Sequence, residues 1–248
     1  MLKIDDLSLK LNNKEILKNI NLNIKENKIT GIIGKNASSK TSLIRCLNGI
    51  YSYNGKIYFK DKLIKEYNLK DLAKKISYLP QLLKYPHILT SEILKMGRSP
   101  YTGLNERLGE EDKEIINKTI ERFQIEPLLD KYLDELSGGQ RQLIYFAMQI
   151  IQDADLLILD EPTSFMDINF ENLILKTLKE LNKLENKTIV IVMHNINKII
   201  KYVDELVVLD NGEVSFVGSV NDCINNKVIE KVFNLKKYQF DDTIIYEE

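Results

Sequence analysis

Cysteine is scarce in this chain. Only Cys46 and Cys223 occur among 248 residues. They lie far apart and fit no metal or redox spacing, which excludes a disulfide framework, a zinc ribbon and dithiol chemistry and leads us to expect a reducing compartment. An excess of charge of one sign is missing as well. With 35 basic and 36 acidic residues the formal net charge is −1, so the chain does not read as a nucleic-acid-coating protein, and no nucleic-acid partner is expected. No apolar run approaches the ~20 residues of a membrane span. If the protein works at a membrane, another chain must cross it. The opening Met1-Leu2-Lys3-Ile4-Asp5-Asp6 lacks the basic start and apolar run of a secretory leader, and low-complexity segments and obvious repeats are absent.

What is present suits a folded α/β protein. Hydrophobic residues make up 44% and charged residues 29%, enough for a sizeable core in one large domain or two closely joined lobes. Residues 2–11 and 20–24 alternate as half-buried strands do. Ile29 to Gly34 reads as a buried strand, and Lys40 to Ile50 as a helix with Leu43, Leu47 and Ile50 facing the core and Gly49 near its end. Residues 55–59 and 76–79 again read as strands. From about 88 to 152 the pattern turns helical, with starts at Ser91 and at Glu110-Glu111-Asp112 and an interruption at Pro127. The solid apolar runs 156–159 and 188–193 suit parallel strands covered on both faces. Helical patterns at 169–184 and 196–202 accompany them, and Leu206 to Val217 reads as a hairpin turning at Asp210-Asn211-Gly212.

Three segments carry chemistry. Gly34-Lys35-Asn36-Ala37-Ser38-Ser39-Lys40-Thr41 lies between a strand and a helix, the context that a phosphate loop requires. Backbone N–H groups there would point at phosphate oxygens, with Lys40 on the β- and γ-phosphates and Thr41 offering its hydroxyl to Mg2+. Ser42 completes the candidate nucleotide-binding run. The pattern G-x-x-x-x-G-K-[ST] wants glycine where Ser39 stands. If that position needs positive φ, serine costs about 1–2 kcal/mol, and Ser39→Gly is expected to tighten nucleotide binding. Taken alone, the segment also fits an Asn/Ser-rich turn that merely caps the helix. Leu136-Ser137-Gly138-Gly139-Gln140 places two glycines before a helix, another anion-binding geometry. Leu156 to Leu159 leads into Asp160 and Glu161, which at a strand end can hold Mg2+ through water and accept a proton from an attacking water.

In this order the motifs resemble those of the ATP-binding cassette (ABC) transporter ATPases over nearly the whole chain. Gly34 to Thr41 matches the Walker A loop, Gln81 the Q-loop, Leu136 to Gln140 the signature, and Asp160 with Glu161 the Walker B pair. Ser164-Phe165-Met166-Asp167 looks like the D-loop and His194 like the H-loop histidine. Met96-Gly97-Arg98-Ser99-Pro100-Tyr101 is similar to a G-R-x-P-[HY] segment of cassettes serving iron–siderophore, haem and cobalamin importers, although a local turn also accounts for it. The stretch from Asp160 to Asn169 is similar to the same subgroup.

The resemblance implies a P-loop NTPase (RecA-like) α/β core with an antiparallel β subdomain and an inserted helical subdomain. The expected bounds are 1–87 and 153–248 for the core and 88–152 for the helical part. It implies ATP and Mg2+ as ligands, with Thr41, Gln81 and Asp160 toward the metal and Glu161, His194, Gln81 and Lys40 in the reaction. It also implies an ATP-bound homodimer in which Ser137, Gly138, Gly139 and Gln140 face the partner's nucleotide. Permease subunits and, indirectly, a substrate-binding protein would be partners, at the cytoplasmic face of the membrane. Leu11 falls where the family usually stacks an aromatic on adenine, which implies looser adenine discrimination. His87 reads as a surface residue. Two alternatives stay open: a non-transport ABC ATPase and a catalytically weak regulatory subunit.

Overall fold

The computed structural model describes residues 1–81, 84–102, 107–164, 166–241 and 243–247. The chain divides into two compact units, residues 1–67 with 179–248, and residues 68–178.

Along the chain the first unit opens with strands β1 (Leu2–Leu11), β2 (Lys14–Ile24) and β3 (Ile29–Gly34), helix α1 (Lys40–Leu47), and strands β4 (Asn54–Phe59) and β5 (Lys62–Leu63). The second unit holds α2 (Leu69–Ala73), β6 (Ile76–Leu79), α3 (Thr90–Met96), α4 (Ser99–Thr102), α5 (Glu110–Phe123), α6 (Gly138–Ile151) and β7 (Leu156–Asp160), and α7 (Ile168–Glu185) begins there. The chain then returns to the first unit with β8 (Thr188–Val192), α8 (Ile196–Tyr202), β9 (Glu205–Asp210), β10 (Glu213–Ser219), α9 (Val220–Asn225), α10 (Val228–Phe233), β11 (Lys236–Phe240) and β12 (Thr243–Glu247).

In the first unit β2-β1-β4-β5 form an antiparallel sheet. Beside it, β3 pairs in parallel with both β8 and β9, and β10 closes the edge antiparallel to β9. Every residue of β3 and β8 is buried, as continuous apolar runs without alternation require. In the second unit β6 and β7 are a parallel pair, with β7 buried throughout. A turn at Glu126–Leu128 carries Pro127 near its start. The helical stretch read at 88–152 lies within this second unit, which also contains both strands.

Several boundaries differ from the sequence reading by a residue or more, and three are instructive. β2 begins at Lys14 rather than 20, because Asn12 and Asn13 adopt φ of 48° and 62°, the paired left-handed geometry of a two-residue hairpin turn. Helix α1 ends at Leu47. Gly49 takes φ 69° just beyond it and Ile50 is 55% exposed, so Ile50 does not face the core; a left-handed glycine there stops the helix. Helix α3 starts at Thr90, one residue before Ser91.

The Gly97–Tyr101 segment is more than a local turn. A Cβ on Gly97 would lie 2.7 Å from the Met148 carbonyl oxygen and 2.8 Å from Ile151 Cγ2, so glycine lets this backbone close onto α6. Buried Arg98 donates from Nε to Asp112 Oδ1 at 2.7 Å and from Nη1 to the Ile151 carbonyl at 3.1 Å, and its guanidinium lies 3.8 Å from the Tyr101 ring centroid. Burial pushes the Asp112 carboxyl up, but the Arg98 hydrogen bond and charge, with the Gly109 amide, outweigh it and leave the carboxyl below its usual value. Arg98 therefore ties α5 and α6 together. Arg98→Ala strands a buried carboxylate and is expected to cost about 3–5 kcal/mol in chemical denaturation. Because the folded value is the depressed one, this stabilisation is present above the unfolded carboxyl's pKa of about 4 and is lost as pH falls through the folded value. A pH-independent difference between wild type and variant would contradict the assignment.

Candidate functional site

In the first unit the segment after β3 wraps into a cradle. Ala37 and Ser39 both adopt left-handed backbone, with φ of 63° and 76°, and the Ser38 amide donates to the Lys35 carbonyl at 3.1 Å. Alternation of this kind turns successive N–H groups toward one concavity, the geometry of an anion nest. The hollow, about 210 Å3, is lined by Lys35, Asn36, Ala37 and Ser38 with Asp210 and Asn211. Gly34 makes the cradle possible: a Cβ there would lie 2.4 Å from the Leu209 carbonyl oxygen and 2.4 Å from Ser38 Oγ. Lys40 is buried and donates from Nζ to the carbonyls of Gly34 at 2.8 Å and Lys35 at 3.1 Å. Its ammonium thus lies inside the loop, where phosphate charge would come. Thr41 and Ser42 follow in the first turn of α1, half-buried, with no acidic residue in that turn.

Ser39 occupies the cap position of α1, yet its side chain makes no cap hydrogen bond. A capping role therefore does not account for the serine. Its backbone is left-handed, the condition under which a missing glycine carries a cost.

Elsewhere in the first unit, Leu11 is the half-buried last residue of β1, and His194 is exposed just past β8. Asn195 next to it caps α8 by accepting from the Lys198 amide at 3.0 Å.

The second unit gathers Gln81, Asp160, Glu161 and Ser164. Asp160 ends β7 fully buried, and Glu161 is 7% exposed with φ 53°, a left-handed backbone that non-glycine residues adopt at a cost, commonly at functional sites. Gln81 Nε2 donates to Glu161 Oε2 at 2.7 Å, and Ser164 Oγ donates to the same oxygen at 3.2 Å. Sequence reading does not reveal this junction, since Ser164 was singled out only as part of a loop pattern. Phe165 of that pattern lies outside the described residues. Asp167 caps α7, accepting the amides of Asn169 at 2.8 Å and Phe170 at 3.0 Å.

The Ser137–Gln140 segment starts α6 with a reciprocal cap. Ser137 Oγ accepts from the Gln140 amide at 3.3 Å and Gln140 Oε1 accepts from the Ser137 amide at 3.0 Å, a capping box. Ser137 and Gly138 are exposed, and a Cβ on Gly138 would meet nothing within 4 Å. The fold itself therefore does not need glycine there. His87 is exposed, as read, but engaged: it stacks on Tyr132 at 3.8 Å, with Nδ1 3.1 Å from Asp134.

With this geometry in hand, comparison with known proteins is informative. The family model described as ABC transporter matches residues 17–164. The petrobactin import ATP-binding protein YclP of Bacillus subtilis (strain 168) is 36% identical over 237 residues, covering 95% of this chain and 93% of its own length. The ferric enterobactin transport ATP-binding protein FepC of Escherichia coli (strain K12) is 30% identical over 245 residues, covering 98% and 90%. Among solved structures, a nucleotide-free ATP-binding cassette from an ABC transporter is similar at TM-score 0.82 and 24% identity, over 94% of this chain and 97% of that one.

The strain at position 39 yields a test. Ser39→Gly is expected to raise folding stability by about 1 kcal/mol, the left-handed relief less the entropy glycine adds to the unfolded chain. ATP affinity should tighten, as the motif suggests, if the loop takes up this backbone on binding, and should change little if it holds it throughout. Thermal unfolding paired with nucleotide titration checks this; a large gain in affinity with no gain in stability would show that the loop reshapes on binding.

Proposed function

The chain belongs to the ABC transporter family, has the α/β cassette fold of that family and is an ATP-binding ATPase coupled to transport, and we propose that it energises uptake of a metal chelate through a separate membrane permease. The chelate is of the iron–siderophore, haem or cobalamin type. Two things support this class: the Gly97–Tyr101 segment, and relatives whose names specify import of petrobactin and ferric enterobactin. Among the described residues no helix is long and apolar enough to cross a membrane. The subunit would sit peripherally at the cytoplasmic face of the membrane, held by its permease.

The observation that carries the mechanism is the exposed start of α6. Ser137 and Gly138 are exposed, and a Cβ on Gly138 would meet nothing of its own chain within 4 Å. We take that face to close on the nucleotide of a second copy, head to tail, with Gly139 and Gln140 beside it. Lys40 and the Gly34–Ser42 cradle hold the phosphates, and Leu11 covers the base. Glu161 accepts a proton from water as the water oxygen bonds to the γ-phosphorus and the bond to the β–γ bridging oxygen breaks, releasing ADP and phosphate. His194 steadies the γ-phosphate. Thr41, Gln81 and Asp160 offer a hydroxyl, an amide oxygen and a carboxylate, hard donors that fit Mg2+; when bound, the ion neutralises charge on the phosphates. Among the described residues no group of three His, Cys, Asp or Glu is placed to cage a metal.

We assign 1–87 and 153–248 to the catalytic core with its β subdomain, and 88–152 to the helical part that grips the permease. Exposed Tyr85, Met96 and Tyr132 in the second unit supply apolar contact surface for it.

Two experiments test this reading. Glu161→Gln with ATP should form a dimer in size-exclusion chromatography. Adding Gly138→Ala should abolish that dimer while changing folding stability by no more than about 1 kcal/mol, because the methyl meets no neighbour in the single chain; a dimer that survives Gly138→Ala would remove the assigned interface. In the source cell under iron limitation, replacing the wild-type gene with Glu161→Gln should stop accumulation of an isotopically labelled ferric siderophore. Uptake of every tested iron chelate at the wild-type rate would refute the substrate class.

A further inference from the structure

Asp210-Asn211-Gly212-Glu213 joins β9 to β10 by the shortest common connection. Asp210 and Glu213 close the hairpin, and Asn211 and Gly212 take φ of 50° and 80°, the positive pair of a two-residue turn. One side of this turn belongs to the phosphate cradle. Leu209 pairs in register with Gly34, and Asp210 and Asn211 line the hollow. The other side lies against β2. The Lys18 amide donates to the Gly212 carbonyl at 2.9 Å. A Cβ on Gly212 would lie 2.4 Å from the Ile16 carbonyl oxygen, and its three nearest atoms all belong to Ile16 and Leu17. Ile16 stands at a β-bulge, since Leu9 pairs with Leu17 and Lys10 with Glu15, which leaves Ile16 as the extra residue. The β1–β2 hairpin that contains this bulge turns at Leu11, Asn12 and Asn13.

We propose that Gly212 is a positioning residue that fixes how far the Leu11 end of the β1–β2 hairpin stands from the cradle, and so sets affinity for the nucleoside half of the nucleotide without setting affinity for its phosphates. The inference rests on the reading of Leu11 as the residue that covers the base. The two sides of the turn differ in how readily they give. On the cradle side, β9 is buried from Glu205 to Leu209 and pairs with buried β3. On the other side, β2 is an edge strand, and Asn12 to Glu15 are exposed. An added methyl at position 212 therefore displaces the hairpin and leaves the cradle in place. Glycine serves there in two ways, through its positive φ and through its missing Cβ. Only the second acts on the hairpin.

Calorimetric titration of the purified full-length chain with ADP and with inorganic pyrophosphate, each with Mg2+, tests the proposal, because only ADP carries a base and neither ligand has a γ-phosphate to lose. Gly212→Ala should weaken ADP binding about fivefold, the worth of roughly one buried methylene, and leave pyrophosphate within about twofold of wild type. Gly212→Asn tolerates the left-handed backbone yet still adds a Cβ, and should do the same. Unfolded molecules weaken both apparent affinities alike, so the ratio of the two stays readable where a variant folds only in part. Gly55→Ala is the structural control. Gly55 has φ 96°, and a Cβ there would lie 2.5 Å from the Asp6 carbonyl oxygen, so this variant should lose stability and keep the wild-type ratio. If the Gly212 variants weaken ADP and pyrophosphate equally, or weaken neither, or if Gly55→Ala shifts the ratio as far, the inference is overturned. Leu11→Ala, which should weaken ADP alone, separates the inference from the reading beneath it. ADP bound weakly by Leu11→Ala but normally by both Gly212 variants would leave that reading standing without the inference. ADP bound normally by Leu11→Ala would remove both.

Discussion

Complete burial of β3, β7 and β8 imposes the organisation of the chemistry. A strand covered on both faces cannot carry a working polar side chain along its length, because each such group would need a partner inside the core. Polar function is displaced to the ends of the strands. The cradle begins at Gly34, the carboxylate pair at Asp160 and Glu161, and the histidine at His194, each immediately at or after a strand end. Ligands of open parallel sheets gather at carboxyl ends of strands for this reason, and each unit obeys the rule separately.

The constraint extends to backbone conformation. A chain leaving a buried strand must turn sharply to present its donors. Ala37, Ser39 and Glu161 accomplish this with positive φ although none is glycine. Non-glycine residues in this region cost on the order of 1–3 kcal/mol each and persist only where the surroundings hold them. The surroundings are identifiable here: the Lys40 bonds to the loop carbonyls on one side, and the Gln81 and Ser164 bonds to Glu161 on the other.

Much of this was legible in the sequence, and the parts that were not share a cause. Continuous apolar runs identified the buried strands because burial on both faces leaves no alternation to misread. Motif order identified the candidate site because each segment sat at a strand or helix boundary. The start of β2 was missed because Asn12-Asn13 can turn a hairpin without glycine, and only backbone angles reveal it. The extent of α1 was overestimated because Ile50 continues the apolar spacing past Gly49. Ser164 carries no pattern that points at Glu161, since a hydroxyl finds its acceptor through loop geometry rather than spacing. Arg98 was visible only as part of a subgroup segment; its work as a clasp among Asp112, Ile151 and Tyr101 is tertiary.

The reciprocal cap at the start of α6 has one more consequence. Ser137 now spends its hydroxyl on the Gln140 amide, and Gln140 spends its side chain on the Ser137 amide. For Ser137 to turn toward an incoming anion, that closed loop must open and the helix must give up its own terminator. On the proposed reading an anion would supply what was surrendered, meeting the same amides with a stronger charge. A phosphate brought by a second copy would then act as a replacement end-piece of the helix.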